Sequence, residues 1–282
     1  MIISVASGKG GTGKTTVAVN LALSLNGNVQ FLDCDVEEPN AHIFLKPEIT
    51  ERHSVSIPVP KVDEEKCTYC GKCREVCAYN AIAVMKNVIL IFPELCHGCG
   101  GCTLLCPKKA IKEVGKEIGV MQIGKAGIIE FINGKLHIGE SMATPLIRAV
   151  KKNILNSKIV IIDAPPGTSC PVIESIKGSD YCILVTEPTP FGLNDLMLAV
   201  EVVRKLKIPF AVVINRAGLG DNKTEEYCQK ENIPILMEIP FSKDIAVSYS
   251  KGIPIVDALP QYKIYFRELL TNIINYVEEG QK

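Results

Sequence analysis

Gly8-Lys9-Gly10-Gly11-Thr12-Gly13-Lys14-Thr15 is the stretch on which the reading of this chain turns. It follows the apolar run 1–6, expected as a short strand, and precedes a helical pattern over 15–25. The octet satisfies G-x-x-x-x-G-K-[ST], the phosphate-binding loop pattern. Glycines let successive backbone N–H groups curl around phosphate oxygens without Cβ clashes, and the N-terminus of the next helix adds its dipole. Gly8, Lys9, Gly10, Gly11, Thr12, Gly13, Lys14, Thr15 and Thr16 form the expected cradle. Lys14 is expected to reach the β- and γ-phosphates, and the Thr15 hydroxyl to ligate Mg²⁺.

The same glycines also fit G-x-G-x-x-G after a strand, with Asp33 20 residues beyond Gly13, the pattern of a dinucleotide site. Two features decide against that. A dinucleotide site has no use for Lys14-Thr15 directly after the third glycine. The run Ile159-Val160-Ile161-Ile162-Asp163 ends an apolar segment in an acid, where a Walker-B carboxylate belongs.

Working outward, apolar strand signals recur at 28–32, 158–162, 181–185, 210–214 and 233–239, with helical patterns between them, as at 194–206. Alternation of strands and helices predicts an α/β fold, a P-loop NTPase with a mostly parallel sheet flanked by helices. After Asn40 the pattern breaks, and the proline-containing stretch 57–62 is expected as a linker into a separate module. The segment 119–139 is β-like with glycine turns, and is expected as the return path from that module. The predicted organisation is 1–60 and 114–282 for the two parts of the ATPase domain, with 61–113 inserted between them.

The insert is defined by cysteine. Of 12 cysteines, the block from Cys67 to Cys106 repeats internally: a shift of 29 residues carries Cys67, Cys70, Cys73 and Cys77 onto Cys96, Cys99, Cys102 and Cys106. The same shift carries Glu65 onto Glu94 and Ala81-Ile82 onto Ala110-Ile111, so two copies of one unit are expected about a pseudo-twofold axis. Both runs have the C-x₂-C-x₂-C-x₃-C spacing of bacterial ferredoxins, in which the fourth cysteine ligates the other cluster. The expected 4Fe-4S sites are therefore Cys67, Cys70, Cys73 and Cys106 for one, and Cys96, Cys99, Cys102 and Cys77 for the other. Two Cys₄ zinc knuckles are the bland alternative, but they seldom use three-cysteine runs at this spacing. Pro107 follows the second run, whereas Ala78 stands at the equivalent place in the first. The insert is expected as a small α+β ferredoxin-like domain. His97, beside a ligand, is expected as a solvated loop residue, and Cys34, Cys182 and Cys228 as small buried residues.

Composition bounds the partners. Hydrophobic residues make up 47% of the 282, charged residues 22%, and the formal net charge is zero. That balance removes the electrostatic argument for nucleic acid or an anionic membrane. The longest uncharged run, between Lys14 and Asp33, is broken by Asn20, Ser24, Asn26, Gly27, Asn28 and Gln30, so no membrane span is expected. No basic n-region or apolar h-region precedes the first strand, which predicts no secretory signal and a cytoplasmic, thiol-preserving setting. The C-terminal helix carries Phe266, Leu269, Leu270, Ile273 and Val277 at helical spacing, with Glu268, Glu278 and Glu279 offsetting Lys263, Arg267 and Lys282. Core packing is expected for it, since a membrane-surface helix would want a basic polar face.

With these motifs in hand, the chain resembles the deviant-Walker ATPases, the MinD, ParA, Mrp and nitrogenase iron protein group. Lys9 looks like the signature lysine of that group, which crosses a dimer interface to the partner subunit's phosphates. The resemblance implies an ATP-bound homodimer. It makes Asp33-Cys34-Asp35 look like switch I, with Asp35 orienting or activating the attacking water, and Asn40 like a switch I asparagine of the MinD branch. Asp163-Ala164-Pro165-Pro166-Gly167 looks like switch II, with Asp163 approaching Mg²⁺ through water and the Gly167 N–H sensing the γ-phosphate. Asn215 resembles the adenine-reading asparagine, and Pro240 the later adenine-flanking loop. Cys170 stands at the offset of a bridging-cluster ligand of the nitrogenase iron protein, but 139–145 holds no second cysteine.

The function expected from all this is ATP hydrolysis coupled to electron transfer, in a homodimeric reductase component that acts on a partner protein. An iron–sulfur or metallocofactor assembly factor, handing clusters to an acceptor protein, is the second reading. A MinD- or ParA-like positioning ATPase with redox-sensing clusters is the third.

Overall fold

The computed structural model describes residues 1–25 and 27–279; Asn26 of the uncharged run and Lys282 of the C-terminal charge pattern lie outside them. The chain begins with β1 (Ile2–Ala6), α1 (Lys14–Ser24), β2 (Val29–Asp33), α2 (Ala41–Leu45) and β3 (Glu48–Val62). The cysteine segment holds α3 (Lys72–Val76), the hairpin of β4 (Ile82–Met85) and β5 (Val88–Ile91), and α4 (Gly101–Leu104). There follow β6 (Ile111–Ala126), β7 (Ile129–Leu136), α5 (Ala143–Lys151), β8 (Ile159–Asp163), α6 (Cys170–Ile176) and β9 (Tyr181–Thr186). The last elements are α7 (Pro190–Lys205), β10 (Phe210–Ala217), α8 (Lys223–Lys230), β11 (Ile235–Pro240), α9 (Lys243–Ser250), α10 (Ile255–Ala258) and α11 (Tyr262–Glu279).

Nine strands form one sheet in the order β11-β10-β9-β1-β8-β2-β7-β6-β3. Every pairing from β11 to β7 is parallel, and β6 joins β7 and β3 antiparallel. The central strands are apolar without a polar face because helices cover both sides. Alternate residues go to opposite layers. Ile3, Phe31, Ile161 and Ile183 pack with α1 and α11 through Leu21, Phe266 and Leu269. Leu32 and Ile162 pack on the other side with Leu146 and Val150 of α5, and Leu184 with Leu196 of α7. Leu270 and Ile273 of α11 are also buried on the α1 side, and Val277 is partly buried, as core packing requires. Among the described residues no helix is long and apolar enough to cross a membrane.

Two stretches differ from expectation. Residues 57–62 are not a linker but the end of β3, a 15-residue edge strand. Pro58 and Pro60 lie opposite Gly115 and Glu113. Proline is tolerated on an edge strand, whose missing N–H can face solvent, so its presence did not break the strand. Residues 119–139 are more than a return path: they supply half of β6 and all of β7, and β7 lies in the main sheet beside β2. β6 pairs with β7 only over 119–126 but with β3 out to Ile111. The remaining 111–118 and its partner on β3 run past the sheet as a two-stranded ribbon that carries the cysteine segment. Since Gly119 pairs with Leu136, the C-terminal residue of a strand parallel to β2, the ribbon leaves the edge where the parallel strands end.

Phe31 and Phe131 stack at 6.1 Å on paired positions of β2 and β7, and both are fully buried. Phe131→Ala is expected to cost about 3–5 kcal/mol in denaturant unfolding, as much as Phe31→Ala. A loss below roughly 1 kcal/mol would remove β7 from the core.

Candidate functional site

The loop after β1 and the start of α1 form a pocket of about 480 Å³, within the range of small-ligand sites. Gly10, Gly11, Gly13, Lys14, Thr15 and Thr16 line it from the loop side. Asp35, Asn40, Asn215 and Pro240, all expected at the site, come to it from later in the chain, as does Pro166 of the switch-II-like stretch. Two glycines are fixed by close approach. Gly13 has φ +94°, and a Cβ there would run into the Asn215 side chain; a Cβ on Gly8 would collide with the Asp195 carbonyl of α7.

Beneath the loop, carboxylates crowd one ammonium. Asp33 and Asp163 are paired positions on β2 and β8, both fully buried, and Asp35 is buried just beyond β2. Lys14 Nζ donates to Asp35 Oδ2 at 2.8 Å. Burial pulls the Lys14 pKa down, but Asp163, Asp35 and Asp33 together outweigh it and hold it above the ordinary lysine value. Burial, then Asp163 and Asp35, push Asp33 well up; its oxygens accept from the N–H groups of Asp35 and Ala41, each at 3.2 Å. Burial pushes Asp163 up to about 6 despite the opposing Lys14 charge. Neither Asp163 oxygen completes a hydrogen bond, although the Thr15 hydroxyl lies near enough to pull its pKa down. Thr12 Oγ1 and Asn40 Oδ1 are likewise buried without a partner. Such orphaned acceptors are costly unless a ligand completes them.

The other expected residues are placed by contacts within the chain. Lys9 Nζ pairs with Glu187 Oε1 at 2.6 Å, outside the pocket, and Glu187 Oε2 takes Arg216 at 2.8 Å. Burial works against the Glu187 charge, yet Lys9 and Arg216 hold its pKa below the usual carboxylate range. The Gly167 N–H donates to the Ser7 carbonyl at 2.9 Å. Asn215 donates to the Thr12 carbonyl at 2.8 Å, bracing the loop from inside the pocket. Sequence reasoning missed Asp33 as a buried member of the charge cluster, Arg216, Phe241 and Tyr249 around the pocket, and Glu187, which pairs with Lys9 and Arg216 outside it. Only Asp33, beside Asp35, and Arg216, beside Asn215, carried a local signal.

At the ribbon's end the eight repeated cysteines surround two cavities. Cys67, Cys70, Cys73 and Cys106 wall one, and Cys77, Cys96, Cys99 and Cys102 the other, so the fourth cysteine of each run crosses over. The backbone repeats with the sequence. Tyr69 and Gly98, Gly71 and Gly100, and Asn80 and Lys109 all have positive φ, each pair separated by the 29-residue shift. α3 and α4 start at the same place in each copy, just after Gly71 and Gly100. Backbone N–H groups of Tyr69 and Gly98 reach the Cys67 and Cys96 sulfurs at 3.4 and 3.5 Å. Those of Ala81 and Ala110 reach Cys77 and Cys106, both at 3.3 Å. Among the described residues no group of three His, Cys, Asp or Glu side chains is placed to hold a single metal ion. His97 is exposed and stacks on Tyr79 at 3.5 Å, while Cys34, Cys182 and Cys228 are buried and Cys170 is exposed at the start of α6.

The strain at Asp163 is measurable. Its folded pKa lies above the ordinary 3.8, so the folded protein keeps a proton that the unfolded chain loses, and stability falls as pH rises from about 4 to about 6. Asp163→Asn is expected to leave metal- and nucleotide-free protein unchanged in stability near pH 4 and about 1–3 kcal/mol more stable above pH 6. Denaturant midpoints across that range check it; a variant less stable at neutral pH would contradict it.

The chain matches the CobQ/CobB/MinD/ParA nucleotide binding domain over residues 3–255. It is 35% identical to the uncharacterized protein MJ0579 of Methanocaldococcus jannaschii, over 89% of this chain and 90% of that one. It is 28% identical to an iron-sulfur cluster carrier protein of Pyrococcus horikoshii, over 98% of this chain and 86% of that one. In structure it is similar to the septum site-determining protein MinD of Pyrococcus horikoshii complexed with Mg-ADP, with a TM-score of 0.59, 20% identity, and coverage of 100% of this chain and 96% of that chain. The cell division ATPase MinD of Pyrococcus furiosus gives 0.58 at 21% identity, covering 98% of both chains. The domain match takes in the loop, both acid-ended strands and the pocket they form, and the chain belongs to the CobQ/CobB/MinD/ParA family of P-loop nucleotide-binding proteins.

Proposed function

We propose that this chain is a cytoplasmic ATP-binding and ATP-hydrolysing iron–sulfur protein whose nucleotide state governs electron delivery to a partner protein. In this reading 61–113 is an inserted two-cluster domain, and 1–60 with 114–282 form the ATPase. The observation that supports it is a short structural connection, through β7 and the ribbon, between the pocket and the cysteine segment. Val36, next to Asp35 in the pocket, accepts from the Leu136 N–H at 2.8 Å, and His137 donates to Ile118 at 2.9 Å where the ribbon leaves the sheet. Lys116–Glu140 at 2.9 Å and His137–Glu117 at 2.8 Å fasten the ribbon base to the loop after β7.

The residues fit the groups this reading requires. Three buried carboxylates against one ammonium, with the Asp163 acceptors unpartnered, suit a divalent cation brought with a nucleotide. Thr15 would ligate Mg²⁺ and Asp163 would hold one of its waters. Lys14 would turn from Asp35 to the phosphates, leaving the Asp35 carboxylate to orient the attacking water. The Gly167 N–H would exchange the Ser7 carbonyl for a γ-phosphate oxygen. Lys9 would leave Glu187 to reach a second copy's nucleotide in a homodimer. Asn40, Asn215 and Pro240 would bound the nucleotide, with the Asn215 amide turning from Thr12 to meet a base. Four soft thiols around each cavity, two of them accepting backbone N–H groups, suit iron–sulfur cubes, which would supply one-electron chemistry.

A second reading, an iron–sulfur cluster carrier, has its own support: relatives bear that name, and Cys170 is exposed beside the pocket loops. Transfer of labelled iron to an apo-protein, lost in Cys170→Ala, would favour it.

For the leading reading, anaerobically purified protein is expected to hold about eight irons per chain. Once reduced, it should pass electrons to cytochrome c several-fold faster or slower with Mg-ATP than without. Lys14→Ala should keep the iron and lose that difference. Equal rates in the wild type would end the gating proposal. Lys9→Ala is expected to bind nucleotide normally but lose most ATPase turnover; wild-type turnover would remove Lys9 from catalysis.

A further inference from the structure

The pseudo-twofold repeat makes the two cysteine cavities near copies, so what differs between them stands out. Each has one exposed cysteine, Cys70 or Cys99. Each has two sulfurs that accept a backbone N–H at 3.3–3.5 Å. Hydrogen bonding and solvent exposure, two of the levers that set a cluster's potential, are therefore nearly matched. Charge is not matched. The first cavity, walled by Cys67, Cys70, Cys73 and Cys106, has Lys72 and Lys108 as its charged lining residues. The second has Glu113, with His97 as its other titratable neighbour. Lys72 and Lys108 are exposed, and no ion pair within the described residues neutralises either. Glu113 belongs to the ribbon and lies over Gly100, at the start of α4.

Adding an electron makes a cluster more negative, which a nearby ammonium favours and a nearby carboxylate opposes. Cys73 is buried somewhat more deeply than its counterpart Cys102, which works the other way, but two full positive charges outweigh that difference. We propose that Lys72 and Lys108 hold the Cys67–Cys70–Cys73–Cys106 site at the higher potential, and Glu113 holds the Cys77–Cys96–Cys99–Cys102 site at the lower. This rests on the two-cluster reading above. A single electron entering from an external one-electron reductant then settles at the lysine-lined site, at the far end of the ribbon. The second, by the ribbon walls Pro58 and Pro60, fills only afterwards.

The test is a redox titration of anaerobically purified protein with dithionite and mediator dyes, followed by electron paramagnetic resonance at about pH 8.5, where imidazole is neutral. Two separate one-electron steps are expected. Lys72→Gln with Lys108→Gln should lower the higher step and leave the other in place. Glu113→Gln should raise the lower step. Cys73→Ala, which removes a ligand of the first site, should leave one step at the lower position. In the wild type, added salt should draw the two steps together, because exposed lysines are screened. A single unresolved step, a lysine variant that moves the lower step, or a Cys73→Ala step at the higher position overturns the assignment. Iron content separates the two failures: about eight irons with any of those outcomes sinks this proposal alone, and about four or fewer sinks the two-cluster reading itself.

Discussion

Negative charge buried at the ends of β2 and β8 sets the terms for the nucleotide side of this molecule. Asp33 and Asp163 face each other across two paired strands, and Asp35 follows within two residues, with the Lys14 ammonium set against them. Two responses to that crowding are visible. Protonation is favoured at Asp33 and Asp163, and Lys14 is held charged by its neighbours despite burial. The arrangement is unfavourable by itself, and a cation brought with phosphates would offset the crowded negative charge. The rest of the sheet supplies the rigidity that keeps the acids together.

Around this centre, the residues that would contact a nucleotide are engaged with the protein. Lys14 is on Asp35, Gly167 on Ser7, Asn215 on Thr12 and Lys9 on Glu187. These contacts are exchangeable, since each is a hydrogen bond or ion pair that a phosphate or base could replace with one of similar strength. Glu187 is notable for joining Lys9 to Arg216, a residue of the pocket wall. Loss of either partner would leave a nearly buried carboxylate with one cation in place of two.

Much of this was legible in the sequence because the signals are short-range. The phosphate loop and the cysteine runs are fixed spacings within a few residues, and the cavities formed by the cysteines have the crossed membership that the spacing implies. The central strands announced themselves as unbroken apolar runs. The edge of the sheet did not. Pro58 and Pro60 are ordinary signals of a linker, and only the edge position of β3, a property of tertiary structure, makes them compatible with a strand. β6 alternates glycines with apolar and charged residues because half of it lies in the sheet and half in the free ribbon. Glu187 was hidden for a different reason: its meaning lies in partners 178 and 29 residues away, which no local pattern encodes.

The ribbon has a mechanical consequence. Ile57 and Ile118 at its base are buried in the core, and Lys116 and Glu117 are paired with Glu140 and His137, so the projecting part is 111–115, roughly 16 Å at the usual rise of a strand. Cross-strand hydrogen bonds make such a pair stiffer than a flexible tether of the same length, so it is an arm with its base near Lys116 and its load at the cysteines. A rotation of about 5° at the base moves the far end by roughly 1 Å, comparable to the small shifts that switch packed interfaces. Amplification of this kind needs no large rearrangement near Asp35, only a slight change in how β7 seats against Val36.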